Sequence, residues 1–373
     1  MKRFIAIDIF RGLCIFYMTV GHMVYWGVSS ANFWLYEIFW NFGAPIGGGG
    51  FLLVSGMSAS LSYRNRVNKA KISSDVRLKN IRNEYLLRAL IILLISTVWN
   101  FIGTLFMNLP GIWLWFVIQT ISISLLMAWP LFRVSKFLRL ILCFSSWIGN
   151  ELIFFWLSPY YGQQNIFGIL FYILYNTPEQ NVILGYFPYL LLGTVLGDIF
   201  FESSLHQELN EQNNFLKEKL IKPSIIGGFI LIVFGLLFRF PDFSNKETFS
   251  SHMFIVGIEL ILISILTYLK DIKKIHYNKR YRVFEYYSFY SFTIFLAHNL
   301  LYFLFQPRLN FIEIWLYIVP IMVLWTLLFR FIYKKWGKYV SLKFLINKSA
   351  VYISDKLELA HTSGEKISLI KRN

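Results

Sequence analysis

Cysteine is almost absent from this chain: two among 373 residues, Cys14 and Cys143, each inside an apolar run. That pair supports neither a disulfide framework nor a zinc-type spacing, and no metal site is expected. Charge is also scarce, at 15% of residues, and acidic charge scarcer still, with 20 Asp and Glu against 36 Lys and Arg. A water-exposed surface of ordinary composition needs about 25% charged residues. No Walker-type loop, G-x-S-x-G elbow or dinucleotide fingerprint is present, so nothing points to a P-loop ATPase, an α/β-hydrolase or a dehydrogenase. Fixed-period repeats, low-complexity blocks, heptad seams and soluble domains are lacking as well. The opening run MKRFIAIDIFRGL carries Asp8 and Arg11 where a signal peptide needs an unbroken apolar core. It therefore reads as a retained first span.

Apolar sequence is abundant. Hydrophobic residues make up 56% of the chain and aromatics 19%, with a mean hydropathy of +0.54. Stretches long enough to cross a ~30 Å hydrocarbon core recur throughout. Ten are placed near 4–28, 37–62, 89–107, 112–132, 138–157, 182–201, 224–239, 252–269, 287–305 and 312–333. With the N-terminus inside, 31 of the 36 lysines and arginines fall in inner segments, while Arg239, Lys246 and Arg308 lie outside. Such asymmetry places both termini in the cytoplasm. The net charge of +16 is thus topological, with no call for nucleic acid, although an inner basic surface also attracts an anionic cofactor. The fold class is an all-α polytopic membrane protein of about ten transmembrane helices.

The apolar piece 166–176 is too short to span and suits a re-entrant or outer-surface segment. The polar stretch 202–222 predicts a short cytoplasmic helix. The chain from Lys334 onward is basic and loosely amphipathic, as in a membrane-surface helix. Residues 1–345 are read as one transmembrane domain and 346–373 as a basic cytoplasmic tail.

Polar residues inside the spans are the candidates for function. Arg11 and His22 are eleven residues apart on the first span, a step of about three turns that puts them on one face ~16 Å apart. Asp8 and Thr19 share that stripe. Ionisable groups in a membrane helix are costly and usually mark a substrate path or reaction centre. Asp8 and Arg11 can pair and simply pin the inner end of the helix; alternatively, the Arg11 fork suits a phosphate or pyrophosphate. His22 lies in the outer half, where an imidazole bonds a carbonyl or moves a proton at neutral pH. His298, midway along span nine, is either a second catalytic residue or a packing histidine. Gly47-Gly48-Gly49-Gly50 should break or kink span two near the depth of His22. Its freed N–H groups would face a carbonyl oxygen or oxyanion, unless the run serves close packing, which Ser55, Gly56, Ser58 and Ser60 fit better. Gln119, Thr120, Asn150, Glu151, Asp198 and Glu259 together suggest a polar interior. Gly49, Gly50 and Gln119 are assigned to the acceptor-binding wall.

Asp8-x-x-Arg11-Gly12 followed by His22 resembles the first helix of the transmembrane acyltransferases. These include the acyltransferase family 3 O-acyltransferases and the heparan-α-glucosaminide N-acetyltransferase-like proteins. APIGGGGFLLVSGMSASLSYRNR at 44–66, WFVIQTISISLL at 115–126, YFPYLLLGTVLG at 186–197 and FLAHNLL at 295–301 echo them in the expected order. The resemblance implies a helical reaction chamber in which a cytoplasmic acyl-coenzyme A, most simply acetyl-coenzyme A, acylates a hydroxyl or amine of an extracytoplasmic glycan or glycolipid. Carried onto this chain, Arg11 holds the donor and His22 is the general base. Heparan-type relatives can carry Asn where this chain has His22, so the catalytic residue follows the family 3 pattern, and O- versus N-transfer stays open.

The expected mechanism is direct transfer, with His22 deprotonating the acceptor, Asp8 and His298 in the catalytic group, and Arg11, Arg64, Arg66, Arg82 and Arg88 on coenzyme A phosphates. The rival reading is a secondary transporter or lipid-linked glycan flippase. Transporters show matching interrupted helices in two halves, whereas one glycine break is visible in this sequence. Expected partners are the bilayer, acyl-coenzyme A and the acceptor; a homodimer is an allowed arrangement. A prokaryotic plasma membrane is the expected location, given the lack of large soluble domains.

Overall fold

A computed structural model describes residues 3–43, 45–72, 78–106, 113–176, 181–240, 248–275, 282–305 and 308–370, and among them all regular structure is helical. The chain runs through α1 (Ile5–Gly27), α2 (Trp34–Gly43), a π-helical turn (Pro45–Gly49) and α3 (Gly50–Ile72). Then come α4 (Leu78–Phe106), α5 (Val117–Leu131), α6 (Lys136–Leu157), α7 (Ile166–Leu174) and α8 (Ile183–Ser203). α9 (Leu209–Leu216) continues through a π-turn into α10 (Lys222–Leu237), and α11 (Phe249–Leu266) ends in a π-turn to Ile272. α12 (Arg282–Phe289), α13 (Ser291–Ala297) and a 3₁₀ segment (His298–Leu304) lead to α14 (Glu313–Lys335) and α15 (Leu342–Ile370).

Seven of these are long and apolar enough to cross a membrane: α1, α4, α6, α8, the α9–α10 rod, α11 and α14. α5 and the α13–3₁₀ segment are shorter apolar helices, and α3 is a further 23-residue helix with a polar inner end. Every expected span coincides with one of these passes, making an all-α polytopic membrane protein. Pass two, expected to break or kink at its glycines, carries a π-helical turn there, Pro45–Gly49, leading into α3, and pass nine departs from a plain helix. Pass nine is split at Tyr290 and again at His298, a second interrupted pass that periodicity did not reveal.

α8 is the axis of the bundle. Of its most apolar window 89% is buried, against 22% for α4, α6 and α14, which face lipid. α3 lies backbone-to-backbone on α8: a methyl on Gly56 would sit 1.9 Å from the Leu190 carbonyl oxygen, and one on Gly193 2.0 Å from that of Leu53. Close approach of this kind is how membrane helices gain dispersion contact without a hydrophobic drive. The inner half is tied by charge. Arg64 grips Asp198 through Nε at 2.9 Å and Nη2 at 2.8 Å, and also donates to the Phe132 carbonyl. Arg139, buried on α6, reaches the same carboxylate and donates to Thr194 at 2.8 Å.

The ends of α1 are held by distant chain. Asp271 caps the N-terminus, accepting from the Ile5 and Ala6 amides at 2.9 and 3.2 Å, which satisfies two orphan donors and complements the helix dipole. At the outer end, Gly27 and Ser29 exchange backbone hydrogen bonds with Leu309. α7, over the expected short segment, packs beside α6. α15 is anchored at its start, where the Leu342 amide donates to Thr293 Oγ1 at 3.1 Å, and runs along α4, with Asn80 donating to Glu358 at 2.6 Å. The 345/346 boundary therefore lies within one continuous helix.

Candidate active site

The stripe on α1 ends at two different places. At the inner end, Arg11 is buried and donates from Nη1 to Asp8 and to Ser288, each at 3.1 Å. Its Nη2 donates to Ser58 on α3. Asp8 also receives Arg3 at 2.6 Å and the Ser288 hydroxyl at 3.3 Å, and Arg3 pairs with Glu285 at 2.8 Å. α12 comes this close because Gly12 has no side chain: a methyl there would sit 2.3 Å from the Phe284 carbonyl oxygen.

Lys343, on the first turn of α15, completes this inner cluster. It is exposed, at the edge of the cluster. The neighbouring Arg11 guanidinium lowers its ammonium from the ordinary lysine value, against the opposing pull of Asp8. A cation held down by a neighbouring cation marks unneutralised positive potential, the condition that favours an anionic ligand. Sequence reasoning missed Lys343 because it is distant in the chain and sits among many other basic residues; Ser58 was read as packing.

At the outer end, His22 Nδ1 lies 2.7 Å from His298 Nε2. His298 is fully buried, and its Nδ1 is 2.5 Å from the Phe295 carbonyl oxygen. A carbonyl only accepts, so His298 carries its proton on Nδ1, and a neutral ring then offers the Nε2 lone pair to His22. His22 therefore donates from Nδ1. The pair sits among aromatic rings. Trp26 lies 5.4 Å from His22 and 5.9 Å from His298 between ring centres, and Phe295 lies 5.5 Å from His298. His22 remains half-buried. The split of pass nine brings this about, since His298 is the residue at which α13 passes into the 3₁₀ segment. Thr19, in contrast, turns its hydroxyl back onto the Ile15 carbonyl at 2.9 Å.

The remaining sequence candidates occupy other neighbourhoods. Gly49 and Gly50 are buried at the junction of the π-turn with α3, and Gly49 faces Glu259, Tyr189 and Ile255. Gln119 is tied to α4, accepting from Asn100 at 2.8 Å. Arg64 is engaged by Asp198 and the Phe132 carbonyl. Arg66 and Arg88 share Glu84 at 2.6 and 3.3 Å, and Arg82 is exposed beside Asn83. The structure thus brings Asp8 and Arg11 together at one end and His22 and His298 at the other. It groups Arg66 and Arg88 with Glu84 in a cluster of their own. Among the described residues no group of three or more His, Cys, Asp or Glu is placed to hold a metal ion.

A family model described as heparan-alpha-glucosaminide N-acetyltransferase, catalytic, matches residues 3–237. No curated protein matches the chain. The matched stretch runs from the start of α1 to the end of α10, taking in Asp8, Arg11, His22 and the glycine turn, while His298 and Lys343 lie beyond it. The match is to the heparan type, although His22 follows the family 3 pattern. With well over half its length matched, this chain belongs to the heparan-α-glucosaminide N-acetyltransferase catalytic family, an acetyltransferase-type family of membrane proteins.

Proposed function

We propose that the protein is an acyl-coenzyme A-dependent transmembrane acyltransferase. It moves an acetyl group from cytoplasmic acetyl-coenzyme A to an amine or hydroxyl of an extracytoplasmic glycan or glycolipid. The observation that carries this reading is the His22–His298 pair: two imidazoles 2.7 Å apart, one of them fully buried and the other half-buried, at the aromatic end of the α1 stripe. His22 takes the proton of the acceptor as its nitrogen or oxygen attacks the thioester carbonyl, then returns it to the departing thiolate sulfur. His298 holds the ring of His22 in the required tautomer. Its own proton stays on Nδ1 against the Phe295 carbonyl, so it is a positioning residue.

The inner cluster supports a donor that enters from the cytoplasm. Arg11 has both guanidinium ends bonded to Asp8, Ser288 and Ser58, so it contributes mainly its field. Lys343 and Arg3 are the cations that reach solvent, and a coenzyme A phosphate would lie against them. Arg66 and Arg88, bound to Glu84 in a cluster of their own, and Arg82 add basic charge elsewhere on α3 and α4. Gly49 and Gly50 belong to the chamber wall. The cell membrane, with the basic face toward the cytoplasm, is the location that suits this arrangement, and a prokaryotic plasma membrane is its simplest form.

Release of free thiol from acetyl-coenzyme A by the purified protein in detergent tests the reading. Turnover present in wild type and lost in His22→Ala supports it; turnover that persists in the variant overturns the role of His22. One observation favours the transport reading, namely the second interrupted pass. Uptake of a glycolipid without thiol release would select it.

A further inference from the structure

Glu259 lies near the middle of α11, fully buried, and neither of its carboxyl oxygens has a hydrogen-bond partner among the described residues. An unpaired carboxylate in a membrane interior is among the costliest groups a fold can carry, and where one occurs it usually belongs to an ion or proton path. The side chain reaches the glycine turn. A methyl on Gly49 would sit 2.5 Å from Oε1, so only glycine admits this approach. The other side of the turn is open, since a methyl on Gly47 would meet nothing within 4 Å.

A second orphan stands on the same face of α11. His252, seven residues earlier, is buried, with its Nε2 unpartnered among the described residues. Seven residues are about two turns, ~10 Å toward the outer end. Tyr189 of α8 links the two levels: its ring borders Gly49 beside Glu259, and its hydroxyl is 2.9 Å from His252 Nδ1. The groups facing Glu259 are few. α1 presents Cys14, within electrostatic reach of both Glu259 and Arg11, α8 presents Tyr189, and Trp147 of α6 and Tyr186 of α8 lie against His252. Glu151 of α6 is at the outer end, paired with Arg239 at 2.6 Å. The glycine turn adjoins the reaction centre. Two residues beyond Gly49, the Phe51 ring stacks on Phe295 at 6.4 Å, and Phe295 borders His298.

We propose that Glu259, Tyr189 and His252 form a proton path from the reaction chamber toward the outer side. This rests on the acyltransferase reading, and proton balance supplies the reason. A hydroxyl acceptor needs no such path: the C–S bond breaks, a C–O bond forms, and its single proton passes through His22 to the thiolate. An amine is an ammonium ion at neutral pH. Transfer to it breaks the C–S bond, forms a C–N bond, sends one proton to the thiolate and releases another. His22 serves the first of these protons, and Glu259 takes the second, handing it on to the Tyr189–His252 pair. Glu259 is therefore a residue for amine acceptors in particular.

Two measurements decide it. The first is the pH-difference infrared spectrum of the whole protein in lipid between about pH 5 and about pH 9, a range wide enough to titrate a shifted carboxyl. A carboxylic-acid band that changes with pH in wild type and is missing in Glu259→Gln is expected, with Tyr189→Phe altering its titration. A Glu259 band that never changes, or none assignable to Glu259, overturns the proposal whatever the enzyme activity. The second uses glucosamine and methyl glucoside as amine and hydroxyl probes. Glu259→Gln should lower thiol release with glucosamine on the order of 10²-fold near neutral pH, recovering at alkaline pH, and leave the methyl glucoside rate unchanged. Equal loss with both probes at every pH means a structural role. Absence of wild-type turnover would count against the acyltransferase reading alone, because the infrared result stands independently of it.

Discussion

His22 and His298 are separated by 276 positions in the chain and by 2.7 Å in space, Nδ1 against Nε2. Because His298 is committed to the Phe295 carbonyl, the relationship is directional: His298 accepts from His22, the residue to which the proposed function gives the proton transfer. His298→Ala should lower single-turnover thiol release on the order of 10²-fold while coenzyme A affinity stays at the wild-type value. A matching fall in affinity would place His298 in donor binding instead.

Lys343 should confer a pH dependence on donor binding. Its ammonium is held below the ordinary lysine value by Arg11, so it loses its charge earlier than a free lysine as pH rises. A bound phosphate raises its pKa, so coenzyme A affinity declines as pH rises through the lowered value and a proton is taken up on binding. At a pH of about 6, Lys343→Met should bind coenzyme A about tenfold more weakly, the effect of one charge-assisted hydrogen bond. The two proteins should converge at alkaline pH. Titration calorimetry in two buffers of different ionisation enthalpy checks both the affinity and the proton count.

Asp198 receives two arginines in a nearly water-free setting. Asp198→Ala leaves Arg64 and Arg139 facing each other, and loss of one partner from a buried ion cluster costs about 3–5 kcal/mol. The expected result is a much lower melting temperature, with thiol release per folded molecule little changed at low temperature. An unchanged melting temperature would show that water reaches this cluster freely.

Two glycines offer a controlled comparison. Gly56→Ala drives a methyl into the Leu190 carbonyl at the α3–α8 contact and should cost about 3 kcal/mol or more, the upper range of overpacking. Gly47→Ala points a methyl into open space and should leave thermal stability intact. Fluorescence-detected size-exclusion after a heating series reads both, and equal tolerance would refute the close packing.

Much of this protein was legible without coordinates, for one physical reason. A bilayer demands ~20 apolar residues per pass, so the helical class and the positions of the apolar passes are written along the chain. Asp8, Arg11 and His22 were legible by the same logic, since a charged or titratable residue stands out against an apolar run, and helical period sets its face. Partner choice was not. His298 acquires a role only where pass nine breaks and turns its imidazole to His22. Arg64 and Lys343 look alike in sequence, yet one is locked onto Asp198 and the other stays exposed beside the Arg11 cluster. Glu259 was one polar residue among several until the glycine turn and Tyr189 were seen against it. Local sequence determined what each helix is and how it lies in the membrane. Which side chains meet depended on how the other passes pack around α8, a matter of contacts between residues far apart in the chain that no local period encodes.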